Sequence, residues 1–494
     1  MGSIDQSVKN PPRFRRWHSF FLSLVIAIAI TSAYGLCTQD DAFISFRYAE
    51  NVWLGHGLVF NAGERVEGIS NPLWTLLCVF PFALGLDPAF FSVLMGLASL
   101  VLLMWGTMRL AEHFSIAGWM AVWIVALDPS LLLESMEGLE TTFYAALICW
   151  SIVWGVREAK DDRPFVRSTF LFALASITRP DAPYLFALFH LGQIVFRKQW
   201  KRSFWAGVGL GAFLAVITAL RLGYYGEYLP NTFYAKVGGL AWERGLLYLQ
   251  RYFQYHLLIL VGILFAWKGR SLRPLLLVYI GYVLYVCSIG GDFKPTSRFL
   301  LPLTSIGAVF AVGFIQRWSR PVQLLALILL FVAPRYLLFR KSQGWAQTRR
   351  SNLIARRVAG EWIRSHTSPN VVLAMHSVGV IPFYAKRKTI DMWGLNDKVI
   401  ARTPVENFGS GMAGHERSNP SYVFAQKPDL YLPEDDLFLP KKVEHSAPKD
   451  YPASFANDYR SISIQIEASW LNIWVRKDLI QDKTNSKPSQ EALP

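Results

Sequence analysis

Two adjacent carboxylates, Asp40 and Asp41, follow directly on the first long apolar segment of this 494-residue chain. That position puts them at a membrane surface. An acid pulled toward hydrocarbon costs several kcal/mol, so carboxylates kept there line a cavity or do chemistry, unless they are plain solvated loop acids. Beyond them Phe43, Phe46 and Ala49 recur at helical spacing around Arg47 and Tyr48, which predicts an amphipathic helix lying on the membrane. Gly55-His56-Gly57 breaks it. Residues 64–74 then bring Glu64, Arg65, Glu67, Ser70, Asn71 and Trp74 beside the next apolar segment, the mixture of donors, acceptors and an indole that grips a sugar.

Further along, Glu140 opens a helix, either as a partner for its dipole or as a site residue. Arg179 stands before Pro180-Asp181, and Arg298 follows Gly290-Gly291-Asp292 at the mouth of another helix. Either guanidinium can hold a pair of phosphate oxygens, Arg298 being the better placed. The stretch 225–236 carries Asn231 and Tyr234 and ends in Lys236, which can join a phosphate site; its alternative reading is an aromatic belt at the membrane interface. No histidine has the spacing of a zinc hydrolase. The four cysteines lie in apolar segments and are read as packing residues. Gly207, Gly209 and Gly211 imitate a dinucleotide fingerprint, but inside an apolar helix they predict close helix packing.

The elements that must position these residues are membrane helices. With 52% hydrophobic residues, mean hydropathy +0.27 and long apolar stretches between 20 and 339, the chain reads as a polytopic α-helical membrane protein. Its net charge of +15 suggests nucleic acid only until the basic residues are placed. They cluster at 197–202, 268–273 and 317–320, in short loops between apolar segments, which is positive-inside patterning. Twelve apolar segments stand out, and residues 72–86, short and broken by Pro81, are read as not crossing. About eleven crossings result, with an uncleaved first helix, a cytoplasmic N-terminus and one outer face holding 40–71, 128–140, 179–181, 223–256, 290–298 and everything past 340. The expected domains are a membrane domain (1–340, with outer loops 39–71 and 223–256), a small extracytoplasmic α/β domain (341–482) and a disordered tail (483–494). Strand-like runs at 371–375, near Asp391 and over 461–475 mark the α/β part.

Taken in order, the runs 40–48, 64–74, 229–236, 290–298 and 391–397 resemble the GT-C membrane glycosyltransferases, specifically relatives of the mycobacterial terminal β-arabinofuranosyltransferase. The resemblance implies a GT-C-like fold and an acidic catalytic centre in the first outer loop, carried onto Asp40 and Asp41. It also implies a sugar donor on polyprenyl phosphate and a C-terminal part that contacts acceptor. One carboxylate within about 3 Å of the acceptor hydroxyl takes its proton; the other orients it or holds a divalent cation, Mg or Mn being candidates where none is strictly required. Arg298, Lys236 and Arg179 are assigned to the donor phosphate, and Arg47, Glu67, Asn71, Trp74, Glu140, Asn231, Tyr234 and Asp292 to substrate.

The expected reaction moves a single sugar, D-arabinofuranose the candidate, to an envelope glycan, glycolipid or surface protein at the bacterial inner membrane, with membrane lipids as partners and no nucleic acid. The rivals are a glycan polymerase or ligase using polyprenyl diphosphate, a polytopic transporter or lipid flippase, and a membrane-anchored binding protein. An acidic pair after the first helix, no visible inverted repeat and charges gathered at one face argue against them.

Overall fold

The computed structural model describes residues 13–479, except 435–436, 443–447, 449–450 and 467–468. The tail from 483 lies outside the described residues. A helical bundle occupies most of the chain. Among the described residues five helices are long and apolar enough to cross a membrane, six if the bent pair Trp242–Phe253 and Leu257–Ala266 counts as one. Eleven crossings were expected. Four of the expected crossings are short: Gly118–Ala126, Val166–Ser176, Ala182–Arg197 and Arg273–Ser288 hold 9, 11, 16 and 16 residues, about 14–24 Å at 1.5 Å per residue, against a hydrocarbon layer of about 30 Å, while Thr141–Lys160, at 20 residues, has the length but ends in Arg157, Glu158 and Lys160. The non-crossing segment appears as two short helices, Pro72–Leu77 and Phe80–Leu84, the second with Pro81 in its first turn.

The last apolar helix does not stop where the polar composition begins. Arg320–Leu327, a π-helical turn Ile328–Val332 and Ala333–His366 run on as one 47-residue helix. The expected boundary at 340 therefore falls inside a helix, which carries the bundle into the C-terminal domain. There six strands form a mixed sheet ordered β2-β1-β3-β6-β4, with β5 also on β6. β1 (Val372–Met375) runs parallel to β2 (Lys388–Asp391) and β3 (Leu430–Leu432), while β4 (Phe438–Leu439), β5 (Tyr459–Ile466) and β6 (Ser469–Arg476) pair antiparallel. The helix Val380–Ala385 makes the β1–β2 crossover that a parallel pair requires.

The predicted first-loop helix forms as Asp40–Trp53, but it does not lie on a membrane. Residues 42–49 are all buried. Phe43, Phe46 and Ala49 pack with Trp74, Leu139 and Phe383, while Ile44 and Tyr48 enter the core built on Leu373, Met375, Ile381 and Leu430. Apolar residues on both faces are what a helix shows when it is sandwiched, here between bundle and sheet domain. Each buried aromatic contributes roughly 2–3 kcal/mol to that docking. The glycine run departs from expectation too: a Cβ at Gly207 or Gly211 would meet open space, so the Trp200–Tyr225 helix is not packed closely there. The four cysteines are buried and unpaired.

Candidate active site

Consecutive residues on a helix point about 100° apart, and this separates the two aspartates. Gln39, in extended conformation and bonded through its N–H to Glu137 O at 3.0 Å, fixes where the helix starts. Asp40 then turns toward the C-terminal domain. Its Oδ2 accepts from Gly379 N at 2.9 Å, its Oδ1 from Val380 N at 3.0 Å, and Arg356 donates to the same Oδ1 at 3.1 Å. Asp40 thus supplies, from another element, the cap that the Val380–Ala385 helix lacks in its own sequence. Gly379 is required at this contact, since a Cβ there would collide with the Asp40 carbonyl oxygen. Arg356 bridges on to Glu434 at 2.8 Å.

Asp41 turns the other way and makes no hydrogen bond or ion pair among the described residues. It borders two cavities. The larger, about 340 Å³, is lined by Asn71, Glu140, Arg179, Lys236, Arg298 and Phe299, with Leu229, Phe233, Val237 and Ile289 on its apolar side. The smaller, about 230 Å³, is lined by Asp40, Arg349, Asn352, Arg356, Ser377, Trp393, His415 and Glu434. Asp41 is the one residue common to both linings. Burial by itself would raise its carboxyl, but Arg298, then His415, Lys236 and Lys294, outweigh that and hold it below the usual carboxylate value. Burial raises the Asp40 carboxyl, with Arg356 and the Val380 N–H opposing. His415 is held below the usual imidazole value by burial, against the pull of Asp41.

In the larger cavity the cations are set by acids behind them. Arg298 Nε reaches Asp292 at 2.5 Å; Arg179 reaches Asp181 at 3.2 Å and Glu140 at 3.4 Å, and its guanidinium lies 4.6 Å from the Phe299 ring centre. Glu140 also accepts from Asn71 Nδ2 at 2.8 Å, so it orients site residues and makes no side-chain cap to its own helix. Lys236 has no ion pair among the described residues. Three cations thus face a cavity with apolar walls on one side, an arrangement suited to one phosphate carrying a hydrocarbon chain.

The structure brings Asp40, Asp41, Asn71, Glu140, Arg179, Lys236 and Arg298 to the cavities, and six other assigned residues stand behind the walls. Arg47 is buried, donating to Phe60 O, Asn61 Oδ1 and Arg387 O at 2.8, 3.0 and 2.7 Å, because the sandwiched helix turns it into the domain interface. Glu67 is neutralised by Arg221 at 2.5 Å, and Trp74 is core, its Nε1 on Gly138 O at 3.1 Å. Asn231 Nδ2 donates to the carbonyls of Gly394, Leu395 and Asp397, and Tyr234 lies under Arg402 at 4.0 Å. Asp292 serves Arg298. The 391–397 run, whose motif drew attention in the sequence, is a turn wound on Asp391, which accepts from the backbone of Trp393, Gly394 and Asn396.

Several site residues carried no sequence signal strong enough to single them out. Lys294, fully buried, sits between Glu134 at 3.1 Å and Glu137, and Glu137 also pairs with Arg349. Arg349 and Arg356, seven residues apart, share a helix face; that spacing was the available clue. His415 and Met412 come from an irregular loop with no period to read. Among the described residues no three His, Cys, Asp or Glu side chains converge to hold a metal ion. Asp40 is already committed to three donors and Asp41 faces cations, so the pair does not fit the divalent ion considered from the sequence.

The bundle of apolar helices with its docked sheet domain has counterparts among solved structures, a likeness of fold. Among solved structures, ArnT from Cupriavidus metallidurans bound to undecaprenyl phosphate matches 93% of this chain and 97% of its own, with TM-score 0.62 at 13% identity. AglB, the oligosaccharyltransferase of Archaeoglobus fulgidus in complex with an inhibitory peptide and a dolichol-phosphate, matches 77% of this chain and 65% of its own, with TM-score 0.52 at 11% identity. In sequence the chain is similar to the terminal β-(1→2)-arabinofuranosyltransferases of Mycobacterium tuberculosis (29% identity over 260 residues, 47% of this chain) and Corynebacterium glutamicum (25% over 349 residues, 59% of this chain). They bear the name of the family that the first-loop motifs resemble. The matches span 41% and 50% of those relatives' lengths. Residues 343–481 match a family model described as a domain of unknown function, DUF8728.

Proposed function

We propose that this protein is a glycosyltransferase that moves one sugar, D-arabinofuranose the first candidate, from a polyprenyl-phosphate donor to an envelope glycan, glycolipid or surface-protein acceptor. The observation that carries the reading is Asp41 at the junction of two cavities, one of them cationic and partly apolar. Donor occupies the larger cavity, with its phosphate against Arg298, Lys236 and Arg179 and its chain along Leu229, Phe233, Val237 and Ile289. Acceptor enters the smaller one beside Trp393.

In the transfer step the acceptor hydroxyl gives its proton to an Asp41 carboxylate oxygen while its own oxygen bonds to C1 of the sugar. The bond from C1 to the phosphate oxygen breaks. Polyprenyl phosphate leaves with the electron pair, and the three cations stabilise the added charge. The depressed Asp41 value keeps it ionised and ready at neutral pH. Asp40 orients rather than reacts, because its oxygens already accept three donors. The reading sets the site on the outer face of a bacterial inner membrane, supported by the basic loops at the opposite helix ends.

The test is transfer of radiolabelled sugar from a panel of decaprenyl- and undecaprenyl-phosphate sugars to membrane acceptors, by wild type and Asp41→Asn, with and without chelator. Incorporation by wild type that is lost in the folded variant supports the reading and names the sugar. No incorporation from any donor, or equal activity in both proteins, refutes it.

A further inference from the structure

A third cavity lies at the far end of the bundle and belongs to neither substrate. The Thr141–Lys160 helix has Glu140 at the candidate site and Arg157 near its other end, about 26 Å away at 1.5 Å per residue. There the turn into Val166–Ser176 encloses about 210 Å³ between Trp154, Arg157, Arg163 and Arg167. The Arg157 and Arg167 guanidiniums lie 5.1 and 4.4 Å from the Trp154 ring centre. Two acids share the lining and both are engaged. Glu158 accepts from Arg167 N, Ser168 N and Ser168 Oγ at 2.8, 3.3 and 2.6 Å, and Asp161 pairs with Arg157 at 3.6 Å. The Arg163 and Arg167 side chains have no ion pair or hydrogen bond among the described residues, so three cations against two acids leave one positive charge uncompensated.

The cavity opens onto an apolar stripe. Val166 and Phe170, one helical turn apart, are 65% and 61% exposed and run from the arginines toward the middle of the bundle. Phe204 on the Trp200–Tyr225 helix is exposed to the same degree. A cationic recess above an exposed apolar strip matches one kind of occupant, a molecule with an anionic head and hydrocarbon chains. We infer that this recess binds the head group of an anionic glycerophospholipid of the leaflet opposite the candidate site, phosphate against Arg163 and Arg167 and acyl chains along Val166 and Phe170. A membrane surface of that composition attracts juxtamembrane Arg and Lys, and a formed recess adds selectivity.

The inference is independent of the proposed transfer reaction, and its test does not use activity. Full-length protein, delipidated in mild detergent, is titrated with phosphatidylglycerol, phosphatidylcholine or inorganic phosphate, reading retained lipid by native mass spectrometry and the thermal midpoint. One phosphatidylglycerol retained per chain with a raised midpoint is expected, with affinity falling tenfold or more in Arg163→Gln/Arg167→Gln and unchanged in Lys201→Gln. Should the double variant fold poorly, the single variants Arg163→Gln and Arg167→Gln carry the comparison. Equal retention of phosphatidylcholine, equal stabilisation by inorganic phosphate, or undiminished binding in the arginine variants overturns the inference.

Discussion

Replacing Asp40 and Asp41 one at a time should damage the protein in opposite ways. Asp40→Ala removes the acceptor of two backbone N–H groups and of the Arg356 guanidinium. Loss of a cap costs about 1 kcal/mol, and loss of a hydrogen bond to a charged group about 1.5–3 kcal/mol. Arg356 keeps Glu434, so the sum stays near 2–4 kcal/mol and lowers the thermal midpoint. Asp40→Asn leaves an oxygen that still caps and should recover most of that stability. Asp41→Asn breaks no hydrogen bond and forfeits only attraction to the cations around it, so its midpoint falls less than that of Asp40→Ala. Its activity should collapse, because an amide cannot take the acceptor proton. General-base loss is worth about 10²–10⁴-fold, or about 2.7–5.5 kcal/mol at 1.36 kcal/mol per decade. The assay pairs thermal unfolding in detergent with kcat/KM per folded enzyme for all three variants. If Asp40→Asn keeps its midpoint yet loses a hundredfold in rate while Asp41→Asn stays within tenfold, the roles are reversed and the reasoning fails.

The remaining expectations concern the same neighbourhood. Arg298→Gln and Lys236→Gln should raise KM for the donor at least tenfold with little change in KM for the acceptor; an acceptor-only effect would place the phosphate elsewhere. Lys294→Met leaves Glu134 and Glu137 buried with one cation fewer and should destabilise the protein by about 3–5 kcal/mol, read as a fall in midpoint that no added donor restores. Because the Asp41 carboxyl is held below the usual carboxylate value, it stays deprotonated as pH falls from 7 to 5, and its acid limb in kcat/KM belongs below the range in which a free aspartate titrates. That profile is to be measured in wild type and His415→Gln, since the imidazole faces the same carboxylate; an acid limb near pH 6 in both would show Asp41 is not held down.

Much of the architecture was legible because hydrophobic pattern and charge are local properties. Strands at 372–375 and 388–391, the hairpin over 459–476 and the broken segment after Pro72 could be read from period and proline alone. The membrane character, the presence of a first-loop helix, and Asp40, Asp41, Glu140, Arg179, Lys236 and Arg298 were also readable, since each is a residue type stranded where the pattern does not favour it, whereas Lys294, Arg349, Arg356 and Glu434 were not. Count and partnership were not. Short helices such as Val166–Ser176 fall below crossing length, and only their packing inside the bundle accounts for them.

What the tertiary structure alone decided is which of two identical neighbours is free. Sequence makes Asp40 and Asp41 equivalent, and a helix turns them about 100° apart. The difference comes from Gly379, more than 300 positions away, which folds against Asp40 and leaves Asp41 open to two cavities. The same long-range contacts made Arg47 and Asn231 into braces instead of ligands. A polar side chain declares in the sequence that it needs a partner, but the fold determines whether a backbone amide meets that need first.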